Sequence, residues 1–539
     1  MKTSEKRNVI MRIPALVALF VAACAANPEF TPADSPGLTF IHLNDTYRVG
    51  DVEDGKKGGF SRVVTVIRQL QREGRDVHVL HGGDLLYPSL ESQLWNGLQM
   101  VEALNFIDAL APVHFVAGNH EFDRRTSEHL VNAMRASDFD WLGDNYHFNT
   151  GSPDVDSMLQ TSFTFEHGDK TIGVFSLTLH ADEGGNDRTY LTVDRNYLGV
   201  AERVVESFEA QGVNLIIGLT HLHMVTDTQL ARLRHDHPKL AFIVGGHDHE
   251  PKFSALSDDS AAVMKGASNA RAIWRIDVSF DAAGTPHIDG QMLDMDQDVA
   301  MDAEYDLIDE KWRDRLLSLY PFLEARVGEA AFPLDVTEET TRNSETAWGN
   351  FIVDQMRTAF GEPLADLAFI NSGTLRIDDF ITGDILFEDI GRTFGFSSYL
   401  RYTTVTGAEF RDVMEAGYRG TGSSQGYFPQ ISGFRVCVDR SLETGSRIVT
   451  MQVPVEDGWR EIDADTEYTL VVPDFLYLGG DGYQLPQDRP VSRPGSELKY
   501  LVLDAIFRAQ AEGSKIGVPV DAANPRYAEL GPDRTECFR

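Results

Sequence analysis

The sequence predicts a layered α/β protein of two domains joined by a helical connector. Two patterns carry that expectation. From residue 38 to about residue 280, short apolar runs alternate with amphipathic stretches, as strands interleaved with helices do. From about residue 335 a second mixed stretch begins, punctuated by glycine-rich turns. A chain of 539 residues holds two large domains or three smaller ones at roughly 150 residues each.

The first segment reads as a leader rather than as fold. Lys2, Lys6, Arg7 and Arg12 precede an apolar run over 13–23. About eleven apolar residues are too few to span a bilayer and suit a signal peptide. The run ends Val21-Ala22-Ala23-Cys24, which resembles a bacterial lipoprotein cleavage box with Cys24 as the lipidated residue. The competing reading is ordinary cleavage near Ala25 or Ala26. Both export the protein, either to the periplasm or to the outer membrane on a lipid anchor. No other segment is long and apolar enough to cross a membrane.

In the first domain, 36–300, strands are expected at 38–43, 77–80, 114–117, 172–177, 215–219 and 240–244. Helices are expected at 60–70, 94–110 and 200–210. Residues 281–300 are polar and rich in Asp and Gly and read as linker. A charged helix over 302–319 followed by Pro321 and Pro333 marks the connector, 301–334. In the second domain, 335–539, residues 345–360 have helical spacing, and 367–370, 402–405 and 468–472 read as strands. Beyond Cys24 the chain holds Cys437 and Cys537. They either pair, as an oxidising compartment permits, or stay as two buried thiols.

The 48 basic and 83 acidic residues leave a net charge of −35. Such a chain repels nucleic-acid phosphates and anionic lipid, which excludes a broad polyanion-binding role. A small phosphate ester is still within reach if metal ions or a local basic cluster invert the field.

Five polar motifs stand directly after expected strands. They are Asn44-Asp45-Thr46-Tyr47, Gly82-Gly83-Asp84, Gly118-Asn119-His120-Glu121, Thr220-His221 and Gly245-Gly246-His247-Asp248-His249. Ligands in α/β folds bind beyond the carboxyl ends of strands. Carboxylate, amide oxygen and imidazole without thiolate suit Mn, Fe, Zn or Co. A pair of such ions polarises a phosphoryl oxygen and acidifies a water for attack. His120 is followed three residues later by Asp123, placed to orient the imidazole as an acid.

The ordered set resembles the calcineurin-like metallophosphoesterases, and the second half resembles the secreted bacterial 5′-nucleotidases. The C-terminal matches are Arg342-x-x-Glu345-Thr346-x-x-Gly349-Asn350, Asn371-Ser372-Gly373-x-x-Arg376, Gly383-Asp384-Ile385, Gly426-x-Phe428-x-x-x-Ser432-Gly433 and Gly479-Gly480-Asp481-Gly482-Tyr483. The resemblance implies a four-layer α/β/β/α metallophosphoesterase domain and a C-terminal α/β nucleotidase domain. It implies two metal ions, with Asp84 bridging them. Asn119, His221 and His247 would complete one site, and Asp45 and His249 belong to the other. His120 with Asp123 would be the catalytic dyad. Arg376 would hold the phosphate or carboxylate end of the substrate, and Phe428 and Tyr483 would stack on a nucleobase. The implied reaction is hydrolysis of nucleoside 5′-monophosphates, with the two domains closing over a hinge in the connector. The implied partner is a small nucleotide; no protein partner follows. Related hydrolases of cyclic nucleotides, nucleotide sugars or thiosulfate esters are the alternative, and a non-catalytic nucleotide-binding lipoprotein is the alternative of another class.

The sequence departs from that family at its first motif, where Asp-x-His is replaced by Asp45-Thr46-Tyr47. Either Tyr47, a water or another residue fills the gap. The second motif reads Gly83-Asp84-Leu85-Leu86-Tyr87, a Gly-Asp-x-x-Tyr pattern by which the related purple acid phosphatases bring a tyrosinate to ferric iron. Tyr87 is therefore a candidate ligand, and with it a mixed Fe(III)–M(II) centre. The family's Pro-Phe-x-Asn stretch is here Phe394-Gly395-Phe396-Ser397-Ser398.

Overall fold

The strand Leu38–Leu43 is buried along its whole length, so it reads as an almost unbroken apolar run. It sits inside a seven-stranded sheet ordered Pro286–Asp294, Ala272–Phe280, Leu38–Leu43, Asp76–His81, Val113–Val116, Asp140–Leu142, Leu159–Gln160. From Leu38–Leu43 onward the neighbours are parallel, and the first two strands form an antiparallel edge. A second sheet runs Lys252–Ser254, Ala262–Lys265, Leu240–Gly245, Leu215–His221, Lys170–Thr178, Phe163–His167. Its four central strands are parallel. These positions come from a computed structural model, which describes residues 37–539 apart from 180–187, 256, 258, 421–424, 532, 533, 535 and 539. The expected leader and Cys24 lie outside the described residues.

The two sheets share one apolar core, in which the Phe40 and Phe242 rings meet edge to face at 5.9 Å. The helix Phe60–Arg72 buries Val63, Val64, Ile67 and Leu70 on the outside of the first sheet. The helix Tyr197–Gln211 buries Val200, Val204, Val205 and Phe208 on the outside of the second. The layers are thus helix, sheet, sheet, helix.

Two local expectations are corrected. Residues 94–110 are not one helix: Leu90–Trp95 and Leu98–Asp108 are separated by Asn96 and Gly97, both left-handed at φ 54° and 80°. Asn-Gly is a turn dipeptide, and it breaks the periodicity here. Residues 281–300 are not plain linker: Pro286–Asp294 pairs as an edge strand whose mostly exposed side chains give it a polar sequence. The helix Ala303–Leu319 follows, capped by the Asp302 carboxylate, which accepts from Glu304 N and Tyr305 N at 3.1 Å. It packs back on the N-terminal half through Tyr305 and through Trp312, whose ring lies 4.9 Å from Trp95. Arg313 on the same helix pairs with Glu388 of the C-terminal half.

The C-terminal half carries two four-stranded sheets. One is ordered Leu400–Thr406, Glu467–Pro473, Leu367–Asn371, Pro429–Ser432, and the other Gly458–Glu461, Ile448–Val455, Arg435–Val438, Tyr527–Glu529. Cys437 and Cys537 are disulfide-bonded, closing a sequence separation of 100 residues. The bond fastens the tail whose Tyr527–Glu529 strand pairs with Arg435–Val438. We expect Cys437→Ser to destabilise this half by about 2–5 kcal/mol. The readout is a lowered urea midpoint that added reductant lowers no further.

Candidate metal centre and phosphate pocket

Asp45, Asp84, Asn119, His221, His247 and His249 lie at or just beyond the ends of parallel strands, so the loops of both sheets meet at one edge of the sandwich. The backbone is bent hard there. Asp45, Asp84, His247 and His249 all adopt left-handed conformations, at φ 53°, 59°, 80° and 60°, a cost tolerated where a site demands it. Glycine makes the close approach possible at two points. A Cβ on Gly118 would stand 2.2 Å from Asp84 Oδ1, and one on Gly246 2.3 Å from the Gly82 carbonyl.

Each central carboxylate has one oxygen anchored by main chain and one turned inward. Asp45 Oδ2 accepts from His247 N (2.8 Å) and Asn44 Nδ2 (2.6 Å). Asp84 Oδ1 accepts from His120 N (2.8 Å). The other oxygens, Asp45 Oδ1 and Asp84 Oδ2, face His249 Nε2 and the Tyr47 hydroxyl. His249 Nε2 is 3.3 Å from Asp45 Oδ1, and the Tyr47 oxygen lies 3.3, 3.2 and 2.9 Å from Asp45, Asp84 and His249. His249 Nδ1 donates to Glu338 Oε1 at 2.8 Å, because a carboxylate only accepts. That leaves Nε2 as a bare lone pair. One phenolic proton therefore serves three acceptors. Asp45, Asp84 and His249 are buried, and their ligand atoms lie within 4.8 Å of one another.

On the other side of Asp84 the same shortage recurs. His221 Nδ1 donates to the Gly82 carbonyl (2.6 Å), so in the neutral ring Nε2 is the lone pair. That nitrogen stands 3.3 Å from Asp84 Oδ2 and 3.2 Å from Asn119 Oδ1. His247 Nδ1 lies 3.1 Å from the same amide oxygen. Burial opposes charge on His221, yet the Asp84 carboxylate pulls its pKa up to about 9. A pocket that draws a proton onto a buried imidazole is short of positive charge. Acceptors facing acceptors on both sides of Asp84 fit a pair of cations sharing that carboxylate.

His120 stands at the rim. Its Nδ1 donates to Asp123 Oδ2 at 2.8 Å, and its Nε2 lies 3.9 Å from Asp84 Oδ2. Burial disfavours charging the ring, but the Asp123 and Asp84 carboxylates outweigh it and raise the His120 pKa above the ordinary histidine value. Arg376 reaches across from the C-terminal half. Its Nε donates to the Gly373 carbonyl (2.6 Å), its Nη2 lies 3.2 Å from His120 Nε2, and its buried Nη1 has no hydrogen-bond partner among the described residues. The guanidinium lies over the Tyr47 and Phe396 rings, at 5.4 and 5.2 Å. A buried cation with a spare donor beside the carboxylates suits a phosphate oxygen.

Two groups of expected site residues are placed elsewhere. The Tyr87 hydroxyl is buried without a hydrogen-bond partner among the described residues, and Arg124 lies 4.5 Å over its ring. It makes no hydrogen bond to Asp45, Asp84 or His249, whereas the Tyr47 hydroxyl contacts all three. Burial, then the Asp84 and Asp45 carboxylates, hold the Tyr47 phenol neutral, well above the ordinary tyrosine pKa. Phe428 and Tyr483 are not an open clamp, being 1% and 0% exposed. Phe428 packs edge-on against Tyr527 at 4.9 Å, while Tyr483 packs on Phe369 and donates to the Tyr427 carbonyl at 2.6 Å. The aromatic face nearest His120 is Phe396, at 5.7 Å.

Three supports are not assigned at the level of sequence. Glu121 accepts from the main-chain N–H groups of Asp84 (2.9 Å), Leu85 (2.7 Å), Leu86 (2.9 Å) and Gly118 (2.5 Å), and so fixes the loop that carries Asp84. Lys265 is fully buried; it pairs with Asp248 (2.6 Å) and Asp227 (2.8 Å) and donates to the Gly246 carbonyl. The third is Glu338. For Glu121 a signal exists, since it is the residue after His120.

Fold and site together define a metal-dependent phosphoesterase. Residues 38–251 match the calcineurin-like phosphoesterase family and residues 326–488 match the 5′-nucleotidase C-terminal domain. The chain belongs to the calcineurin-like metallophosphoesterases that carry a 5′-nucleotidase C-terminal domain. It is 24% identical to the 5′-nucleotidase of Bos taurus over 92% of this chain and 91% of that one. It is 25% identical to the trifunctional nucleotide phosphoesterase protein of Bacillus subtilis over 92% of this chain, which spans 35% of that longer protein. The fold is shared with the crystal structure of a 5′-nucleotidase precursor from Thermus thermophilus. The TM-score there is 0.76 at 23% identity, covering 92% of this chain and 99% of that one.

Proposed function

We propose that the protein hydrolyses nucleoside 5′-monophosphates to nucleoside and phosphate. The observation that carries this reading is the meeting of Arg376, from the nucleotidase half, with His120 of the metallophosphoesterase half, whose Nε2 in turn lies 3.9 Å from Asp84. The curated 5′-nucleotidases that match nearly end to end support the choice of ester. Asn119, His221 and His247 would hold one ion and Asp45 and His249 the other, with Asp84 between them. Such ions supply electrostatic stabilisation of the phosphoryl oxygens and an acidified water. Arg376 Nη1 binds a non-bridging oxygen. Asp123 fixes the His120 tautomer, and protonated His120 delivers a proton from Nε2 to the departing ribose oxygen. The calcineurin-like phosphoesterase match supports divalent ions at the Asp45–Asp84–His249 cluster. The reading is two divalent ions, of Mn, Zn, Fe or Co.

The protein is read as exported, either periplasmic or anchored to the outer membrane through Cys24. The leader sequence supports this, as does the Cys437–Cys537 bond, which belongs to an oxidising compartment. No helix among the described residues is long and apolar enough to cross a membrane.

The test is product release with Mn(II), followed by chromatography, from AMP, other nucleoside monophosphates, a 2′,3′-cyclic nucleotide and a UDP-sugar. The expected result is the highest kcat/KM on a 5′-monophosphate. A higher value on the cyclic nucleotide or the nucleotide sugar overturns the choice of substrate, and no metal-dependent release at all overturns the enzyme reading.

A further inference from the structure

The two imidazoles whose Nε2 atoms face the central carboxylates are held in different ways. His221 is oriented by a carbonyl of its own half, that of Gly82. His249 is oriented by Glu338, 89 residues further along the chain, which opens the short Glu338–Thr341 helix of the C-terminal half. Glu338 is buried and its carboxylate is fully engaged. Oε1 takes the His249 proton, while Oε2 takes the Ser268 hydroxyl at 2.5 Å and lies 3.4 Å from Arg271 Nη2. Arg342, one turn on, pairs with it from the C-terminal side.

Glu338 is also the centre of a seam. Its main-chain N–H donates to Asp378 Oδ1 at 2.9 Å, and the other Asp378 oxygen accepts from Asn269 Nδ2 at 2.9 Å. The 268–271 loop gripped in this way holds the ligand backbone. Asn269 Oδ1 accepts from Tyr47 N (3.1 Å), Asn269 N donates to the Asp45 carbonyl (2.9 Å), and Ser268 N donates to the His249 carbonyl (3.0 Å). Asn269 and Ala270 are both left-handed, at φ 52° and 55°, a conformation that needs outside support.

We propose that Glu338 is a positioning residue for the Asp45–Asp84–His249 ion, so that this ion binds tightly only while the C-terminal half is docked on the metallophosphoesterase half. The inference rests on the two-ion reading above. By fixing Nδ1 as donor, Glu338 presents the Nε2 lone pair and stiffens the ring. Because the carboxylate comes from across the seam, ion affinity and docking share one free energy, and each strengthens the other. The Asn119–His221–His247 ion, oriented from within its own half, lacks this dependence.

The test is titration of the full-length, metal-stripped protein with Mn(II), counting free ion by electron paramagnetic resonance. Wild type is expected to bind two ions. Glu338→Ala is expected to weaken one of them by about 10–100-fold and leave the other unchanged. Glu338→Gln, whose amide oxygen still accepts from Nδ1, is expected to lose less. Mn(II) should slow amide exchange at Glu338–Thr341 in wild type but not in Glu338→Ala. General loosening would weaken both ions equally, so equal loss at both sites overturns the proposal, as does wild-type affinity in a folded variant. If the alanine variant does not fold, the glutamine variant alone decides: wild-type affinity for both ions overturns the proposal. Fewer than two ions on wild type instead defeats the two-ion reading itself.

Discussion

Asp84→Ala is expected to cut phosphate release on the order of a thousandfold or more, the scale of losing the main electrostatic support of a transition state. It should also empty the centre of both ions rather than one. The reason is geometric. Asp84 Oδ2 is the atom shared by the two groups of acceptors, 3.2 Å from the Tyr47 oxygen on one side and 3.3 Å from His221 Nε2 on the other. Asp84 Oδ1 also receives the His120 main-chain N–H, so the alanine variant loosens the catalytic loop as well. The measurements are ion stoichiometry and kcat/KM on AMP. A variant that keeps two ions, or keeps its activity, removes the basis of the mechanism.

His120→Ala is expected to lower kcat about 10²–10⁴-fold on AMP while ion content stays at the wild-type value. Its Nε2 stands at the rim, 3.9 Å from Asp84 Oδ2 and 3.2 Å from Arg376 Nη2, outside the clustered acceptors. The leaving group supplies a sharper test. Ribose oxygen departs poorly without a proton, whereas p-nitrophenolate is stable without one. The loss on p-nitrophenyl phosphate should therefore be much smaller than on AMP. Equal losses on both substrates would assign His120 to electrostatic stabilisation of the phosphoryl group instead of to proton delivery.

Much of this site can be read from the chain because each ligand loop is short and begins where a buried strand ends. The apolar runs locate the strands, and the polar residues after them have nowhere else to point. That logic reaches Asp45, Asp84, Asn119, His120, His221, His247 and His249. It fails where the answer depends on distant partners. Nothing near Glu338 in the sequence announces His249. Tyr47 and Tyr87 read alike as candidates for the missing ligand, since both follow an aspartate of a metal motif; in the fold it is the Tyr47 hydroxyl that touches Asp45, Asp84 and His249. Phe428 and Tyr483 flank glycine turns, and an aromatic residue there reads the same whether its ring is open or covered. The edge strand Pro286–Asp294 is hidden because its solvent-facing side chains carry no apolar alternation.

The left-handed ligand loops carry a consequence for how such a protein diversifies. Asp45, Asp84, His247 and His249 are placed by main-chain bends and by N–H anchors, so almost any neighbouring replacement distorts the socket before it retunes it. Arg376 and Phe396, by contrast, come from the other half of the chain and line only the outer wall. New preferences for leaving groups should therefore arise more readily by redrawing that wall than by rebuilding the bent loops beneath it.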